Sequence, residues 1–262
     1  MWTHKKQFGQ HFLTDTHAVI RMCEAAAIQE GDTVLEIGPG QGVLTSALLD
    51  RGATVYSIEK DNDLIPLLEE KFASEINNKK LIIVHKDIRD ITTSDLPSCH
   101  YKLVANIPYY ITGEIIRTSL TADAQPSSIT LLVQDEVARR ICSVESGNLL
   151  QLSVHAYGNP KYIKKVKAGS FNPPPKVDSA IIHIANISKD FFEHISENLF
   201  FEILHVAFNQ KRKTILKTLG EKYGKDVVQK ILDTHDISIR ARPEELSLTQ
   251  WSCVVKGIKK YF

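Results

Sequence analysis

The amino-acid sequence predicts an α/β fold: a doubly wound, mostly parallel sheet followed by a small all-helical domain. Three observations carry this prediction. Compact β-branched runs alternate with stretches of helical period through the first half of the chain; two strands then follow with no helix between them; and beyond Ser188 every segment reads as helix. At 262 residues the chain exceeds the usual single-domain size, so one large core domain plus a smaller one is the natural division.

In chain order, Thr14 to Ala27 carries apolar residues at helical spacing behind a Thr14 or Asp15 cap, which predicts a helix. Asp32 to Ile37 is a strand running into Gly38-Pro-Gly-Gln-Gly, and Val43 to Leu49 resumes the helical period. Thr54 to Glu59 is the second strand, followed by a helix over Leu64 to Phe72; Leu81 to His85 is the third strand and ends near Asp87. Lys102 to Ala105 is the fourth and Ile129 to Gln134 the fifth, with a helix over Glu136 to Ile141. Strands separated in this way form βαβ units, whose right-handed crossovers make a parallel sheet with its ligand at the carboxyl ends of the strands. Tyr162 to Ala168 and Ser179 to Ala185 read as an antiparallel edge hairpin joined by a proline-rich turn. Helices are expected over Phe191 to Ala207, Lys211 to Leu219, Asp226 to Thr234 and Leu246 to Lys259. The expected domains are therefore residues 1–187 and 188–262.

Composition narrows the classes of function. Apolar residues make up 43% and charged residues 24%, an ordinary globular balance. The formal charge of +1 admits a nucleic-acid partner only if the lysines and arginines gather on one face. Cys23, Cys99, Cys142 and Cys253 lie far apart without metal-ligand spacing, so neither disulfides nor a structural or catalytic metal is expected. The N-terminal residues have no apolar core of a signal peptide and no stretch approaches a membrane span, so a cytoplasmic protein without membrane contact is expected.

Three strand ends carry ligand-type residues. Gly38, Gly40 and Gly42 occupy the first βα turn, where glycine lets the backbone approach a ligand or adopt positive φ. A dinucleotide fingerprint would need a third glycine where Val43 stands. The spacing G-x-G-x-G instead resembles motif I of S-adenosylmethionine (SAM) methyltransferases, although a glycine turn alone also fits a tight turn with no ligand. Glu59 ends the second strand, where a carboxylate can accept both hydroxyls of a ribose. Asp87 ends the third, placed to accept an adenine amino proton beside the Ile88 N–H, or simply to form a turn. Together they point to an adenosine-containing cofactor.

Asn106-Ile-Pro-Tyr-Tyr110 ends the fourth strand. Methylating an exocyclic adenine amino group is difficult because the nitrogen lone pair is delocalised into the ring. A carboxamide oxygen and a backbone carbonyl, both accepting from that amino group, draw the nitrogen toward tetrahedral geometry. Asn106 and Pro108 supply such a pair, with proline fixing the local backbone. Tyr109 is placed to stack on the base. Ile107 is read as pointing into the core, and Tyr110 is left open between packing beneath the site and touching the base.

These residues resemble motif IV of the rRNA adenine N6-methyltransferases, N-[IL]-P-Y, a relative of the D-P-P-Y motif of DNA amino methyltransferases. Phe8-Gly-Gln-His-Phe-Leu13, Val34 to Gly42, Phe171-Asn-Pro-Pro-Pro-Lys-Val-Asp-Ser179 and Ala207 to Leu216 resemble further segments of the same family. The resemblance runs from about residue 5 to the C-terminus and implies a Rossmann-like class I methyltransferase domain with a helical RNA-recognition domain. It implies that His11, Leu13, Gly38, Gly40, Glu59, Asp87, Ile88 and Asn106 hold SAM. It also implies that Asn106, Pro108 and Tyr109 grip the target amino group and that Phe171 covers the other face of the adenine. His11 departs from the commoner asparagine but retains one hydrogen bond through either ring nitrogen.

Two branches of the family share these motifs. One dimethylates two adjacent adenosines in the 3′-terminal hairpin loop of small-subunit rRNA, and the other confers macrolide resistance on large-subunit rRNA. Ile107 leans toward the second; Asp178 and Lys211-Arg-Lys lean toward the first, which is the reading adopted. The implied partner is small-subunit rRNA in a pre-30S particle, met by a monomer. Lys5-Lys6, Arg139-Arg140, Lys161 with Lys164, Lys165 and Lys167, and Lys211-Arg-Lys are the expected phosphate contacts, converging around the cofactor cleft and toward the helical domain. A ribosome-assembly factor on the same scaffold is the rival from another class, opposed by the intact Asn106-Ile-Pro-Tyr109. A nicotinamide oxidoreductase is opposed by Val43.

Overall fold

The computed structural model describes residues 11–97, 100–144, 147–210 and 212–262. The lead-in before His11, Lys5-Lys6, Cys99 and Lys211 thus lie outside the described residues. The chain divides into two compact units, Met1–Cys142 with Asn159–Ile187, and Ser143–Gly158 with Ser188–Phe262.

The first unit opens with a two-residue strand, Phe12–Leu13 (β1), and a helix, Thr16–Ala25 (α1), capped by the Asp15 carboxylate, which accepts from the His17 and Ala18 N–H groups. Thr33–Ile37 (β2), Val43–Leu49 (α2), Thr54–Glu59 (β3), Ile65–Lys71 (α3), Ala73–Asn77 (α4) and Leu81–His85 (β4) follow. Next come Lys102–Asn106 (β5), Thr112–Thr121 (α5), Ser128–Gln134 (β6) and Asp135–Cys142 (α6). The chain makes Leu149–Tyr157 (α7) in the second unit, then returns to the first through Asn159–Val166 (β7), Phe171–Asn172 (β8) and Ser179–Ala185 (β9).

Seven strands form one sheet in the order β4-β3-β2-β5-β6-β9-β7. β2 through β6 pair in parallel, and β9 runs antiparallel to both β6 and β7. The strand runs are apolar on both faces because both faces are covered; β6 is buried from Ser128 to Val133. The winding reverses between β2 and β5, so the crevice of the topological switch point opens where Gly38 and Asn106 end neighbouring strands. The expected turn between β7 and β9 contains β8, which pairs antiparallel with β1 through Phe12↔Asn172 and Leu13↔Phe171.

The second unit contains α7 together with Glu197–Phe208 (α8), Ile215–Tyr223 (α9), Lys225–Thr234 (α10) and Leu248–Lys259 (α11). Phe200, Leu204, Trp251, Val254 and Ile258 form its buried centre. The domain boundary expected at 187/188 assigned residues 143–158 to the sheet domain; they belong instead with the helices. The cause is packing: Leu152, Val154, Ala156 and Tyr157 are buried, the Tyr157 ring meets Phe192 and Phe201, and its hydroxyl donates to Glu197 at 2.5 Å. The helix expected from Phe191 begins at Glu197 behind the Ser196 cap, because Phe191 and Phe192 turn into an aromatic cluster with Phe200. The helix expected from Lys211 begins at Ile215, where the Thr214 hydroxyl accepts from the Lys217 N–H. Among the described residues, no helix is long and apolar enough to cross a membrane.

Candidate functional site

One cleft in the first unit gathers the residues expected to hold the cofactor and the target base. His11, Leu13, Gly38, Gly40, Glu59, Asp87, Ile88, Asn106, Pro108, Tyr109 and Phe171 all line it.

Its floor is the turn after β2. Gly38, Gly40 and Gly42 have φ of +68°, +59° and +74°, a region that side chains with a Cβ rarely adopt. Space is restricted as well: a Cβ on Gly40 would lie 2.7 Å from the Phe12 ring, and one on Gly42 2.5 Å from Phe72. The turn is held by hydrogen bonds from the Gly38 N–H to the Ile58 carbonyl and from the Gly42 N–H to the Pro39 carbonyl, both 2.9 Å. The Lys71 ammonium donates to the Gln41 carbonyl at 2.9 Å.

Two carboxylates occupy the ends of β3 and β4. Glu59, 6% exposed, accepts from the Lys60 and Asp61 N–H groups at 2.8 Å and from the Gly40 N–H at 3.3 Å. Burial pushes its carboxyl above the ordinary pKa, and the three N–H donors pull the other way. Asp87 behaves in the opposite sense. The Arg89 guanidinium grips both its oxygens, Nε to Oδ1 at 3.0 Å and Nη2 to Oδ2 at 2.6 Å, which holds the carboxyl down at about 2. Ile88 opens the 3₁₀ turn after Asp87, where the first N–H groups have no intrahelical partner.

The opposite wall belongs to the end of β5. The Asn106 Nδ2 donates to the His11 carbonyl at 3.4 Å, and this fixes the carboxamide with its oxygen as the remaining acceptor. His11 is itself anchored: its Nδ1 donates to the Pro173 carbonyl at 2.7 Å. The Pro108 carbonyl accepts from the Ile111 N–H at 3.2 Å and keeps a second lone pair. Tyr109 lies near-parallel to the His11 ring, with centroids 6.3 Å apart, and its hydroxyl shares a 2.6 Å hydrogen bond with Ser179. Phe171 is buried and paired with Leu13. A neutral acceptor pair thus stands beside two aromatic rings, next to a cradle with carboxylates for hydroxyl and amino donors.

Three features escaped the reading from sequence. Glu36, in the strand leading to the glycines, is 1% exposed; its Oε2 accepts from Ser57 at 2.6 Å and Thr45 at 2.7 Å, and its Oε1 has no partner. Burial pushes its carboxyl up to about 7. Arg89 and Lys60 line the cleft without a motif to signal them. Finally, Ile107 is buried as expected, at 2% exposure, and of the two placements left open for Tyr110 the structure has it lining the cleft, 62% exposed.

The basic clusters are partly neutralised. Arg139 pairs with Asp135 at 3.0 Å, Arg140 with Glu136 at 2.6 Å, and Asp178 takes Lys165 at 2.9 Å and Lys167 at 3.7 Å. Lys161 and Lys164 are exposed on the edge strand β7.

Comparison with known proteins gives a consistent picture. The family model described as ribosomal RNA adenine dimethylase matches residues 1–260. A Clostridium botulinum protein named ribosomal RNA small subunit methyltransferase A is 41% identical over 254 residues, covering 94% of this chain and 90% of its own. Its namesake from Fusobacterium nucleatum is 38% identical over 260 residues, covering 97% of each. Among solved structures, a dimethyladenosine transferase from Plasmodium falciparum has a TM-score of 0.81 at 26% identity, covering 95% of this chain and 98% of its own. The 23S rRNA methyltransferase ErmE has a TM-score of 0.76 at 27% identity, covering 95% and 99%.

Proposed function

Because the chain belongs to the ribosomal RNA adenine dimethylase family, we propose that it uses SAM to dimethylate N6 of two adjacent adenosines in the 3′-terminal hairpin loop of small-subunit rRNA. The relatives named for the small subunit are 38–41% identical to it, against 27% for the 23S enzyme, and this difference supports the branch. The observation that carries the chemistry is the anchored Asn106 carboxamide, whose oxygen is left as an acceptor beside the Pro108 carbonyl.

The residues present fit the cofactor. Glu59 offers carboxylate oxygens to ribose hydroxyls, Asp87 and Ile88 an acceptor and a donor to the adenine edge, and Ile58 and Leu64 apolar walls to the adenine faces. His11, Leu13, Gly38 and Gly40 enclose the remainder. When bound, SAM supplies an electrophilic methyl group on a sulfonium. The chain's own contribution is positional. Asn106 Oδ1 and the Pro108 carbonyl accept from the target amino group and localise its lone pair, while Tyr109 and Phe171 flank the extruded base. The substrate is rRNA within a pre-30S particle, and the protein acts as a cytoplasmic monomer.

The test is transfer of labelled methyl from SAM to small subunits lacking the modification, with large subunits and naked rRNA in parallel, followed by mapping of the modified bases. Methylation of adjacent adenosines in small subunits is expected. Transfer confined to large-subunit RNA would assign the protein to the resistance branch.

A further inference from the structure

Tyr110 has a position that neither the cofactor nor the target base explains. It follows the residue proposed to stack on the target adenine, and it lines the same cleft with most of its ring in solvent. Its backbone is not loose: it is the middle residue of the 3₁₀ turn Tyr109–Ile111, which leads directly into α5. A large ring held outward by a rigid turn is an unusual use of apolar surface unless something covers it.

The charge around it indicates what that is. Arg89, whose side chain is 54% exposed, lines the same cleft as Tyr110, and its fork is held in place by Asp87. Lys60 and Lys86 line the same cleft. Carboxylates share this region: Glu59 and Asp87 line the cleft, Asp87 takes Arg89 at 2.6 Å and Lys60 at 3.7 Å, and Asp95 takes Lys86 at 2.6 Å. An oriented guanidinium and an exposed aromatic face lining one cleft suit a nucleotide, with the phosphate at the cation and the base on the ring.

We propose that Tyr110 and Arg89 form a lip that receives the nucleotide next to the target adenosine, Tyr110 by stacking on its base and Arg89 by contacting its phosphate. This rests on the function proposed above, since a base inserted between Tyr109 and Phe171 brings its neighbour to the cleft mouth. Stacking tolerates any base, so the lip contributes affinity and register and does not read sequence.

The experiment compares wild type with Tyr110→Ala, Tyr110→Phe and Arg89→Gln as full chains loaded with S-adenosylhomocysteine, titrated with small subunits lacking the modification. Tyr110→Ala is expected to weaken subunit binding between about 5-fold and 150-fold. The KM for subunits should rise in step, and cofactor affinity measured without RNA should stay put. Tyr110→Phe, which keeps the ring, recovers what Tyr110→Ala loses. Arg89→Gln lowers the dependence of binding on salt by about one phosphate contact. Wild-type subunit affinity in Tyr110→Ala, while wild type itself binds and methylates subunits, would overturn the lip and leave the enzyme assignment standing. Failure of wild type to methylate any rRNA would remove both.

Discussion

Replacing Glu59 by glutamine separates cofactor binding from folding. The carboxylate accepts three backbone N–H groups, two on Oε1 and the Gly40 N–H on Oε2. Glutamine keeps one acceptor oxygen. If that oxygen retains the Lys60 and Asp61 donors, the new NH2 faces the Gly40 N–H and, in the complex, the ribose hydroxyls, where two donors oppose each other. Loss of one hydrogen bond to a charged acceptor costs about 1.5–3 kcal/mol, or about 10-fold to 150-fold in SAM dissociation constant. Folding should suffer little. Burial opposes the charge on Glu59, so a neutral amide sheds a desolvation penalty that offsets the lost Gly40 contact. Titration calorimetry with SAM, paired with thermal unfolding of the cofactor-free chain, reads both quantities. An unchanged dissociation constant would refute the ribose role of Glu59, and a large drop in melting temperature would show that the carboxylate serves the glycine turn instead.

Asn106→Ala removes the carboxamide acceptor and should lower kcat by about 100-fold or more while leaving much of the SAM affinity; single-turnover methyl transfer checks this. Glu36 predicts a pH dependence of stability. Its folded pKa of about 7 lies above the ordinary value, so its stabilising contribution is complete below about pH 4.5 and disappears as pH rises through 7. The change amounts to about 3 kcal/mol, and denaturant unfolding between pH 5 and 8 should show it in wild type but not in Glu36→Gln. Gly40→Ala places a Cβ 2.7 Å from the Phe12 ring at φ +59° and should cost about 1–2 kcal/mol of stability with weakened SAM binding, read by unfolding and calorimetry.

The parallel half of the fold was legible because its strands, buried on both faces, leave nearly continuous apolar runs such as Ile129 to Val133. The cleft residues were legible for a related reason: ligands gather at strand ends, and strand ends can be counted. What escaped depends on contacts distant in sequence. Nothing in Leu149 to Tyr157 says that its apolar residues meet Phe192 and Phe201 and not the sheet. The burial of Glu36 follows from its covering neighbours, and the outward ring of Tyr110 from the turn that carries it. Phe171 and Leu13 were each given a role through their motifs, but their pairing was not foreseen, because a two-residue ladder leaves no period to detect.

That ladder bears on the order in which the protein becomes competent during synthesis. His11 to Leu13 form a wall of the cleft proposed for the cofactor, and apart from Asn106 at the His11 carbonyl their fixing partners lie late in the unit: Ser170 for the neighbouring Thr14 N–H, Asn172 for Phe12, Pro173 for the His11 ring. A ribosome that has released the chain through β6 has delivered the glycine turn, both carboxylates and Asn106, but not the strip that holds the first wall against them. Such a nascent chain would carry most of the contacts proposed for the cofactor and should still bind it poorly until residues near 173 emerge. The earliest-made part of the cleft is thus the last to be fixed.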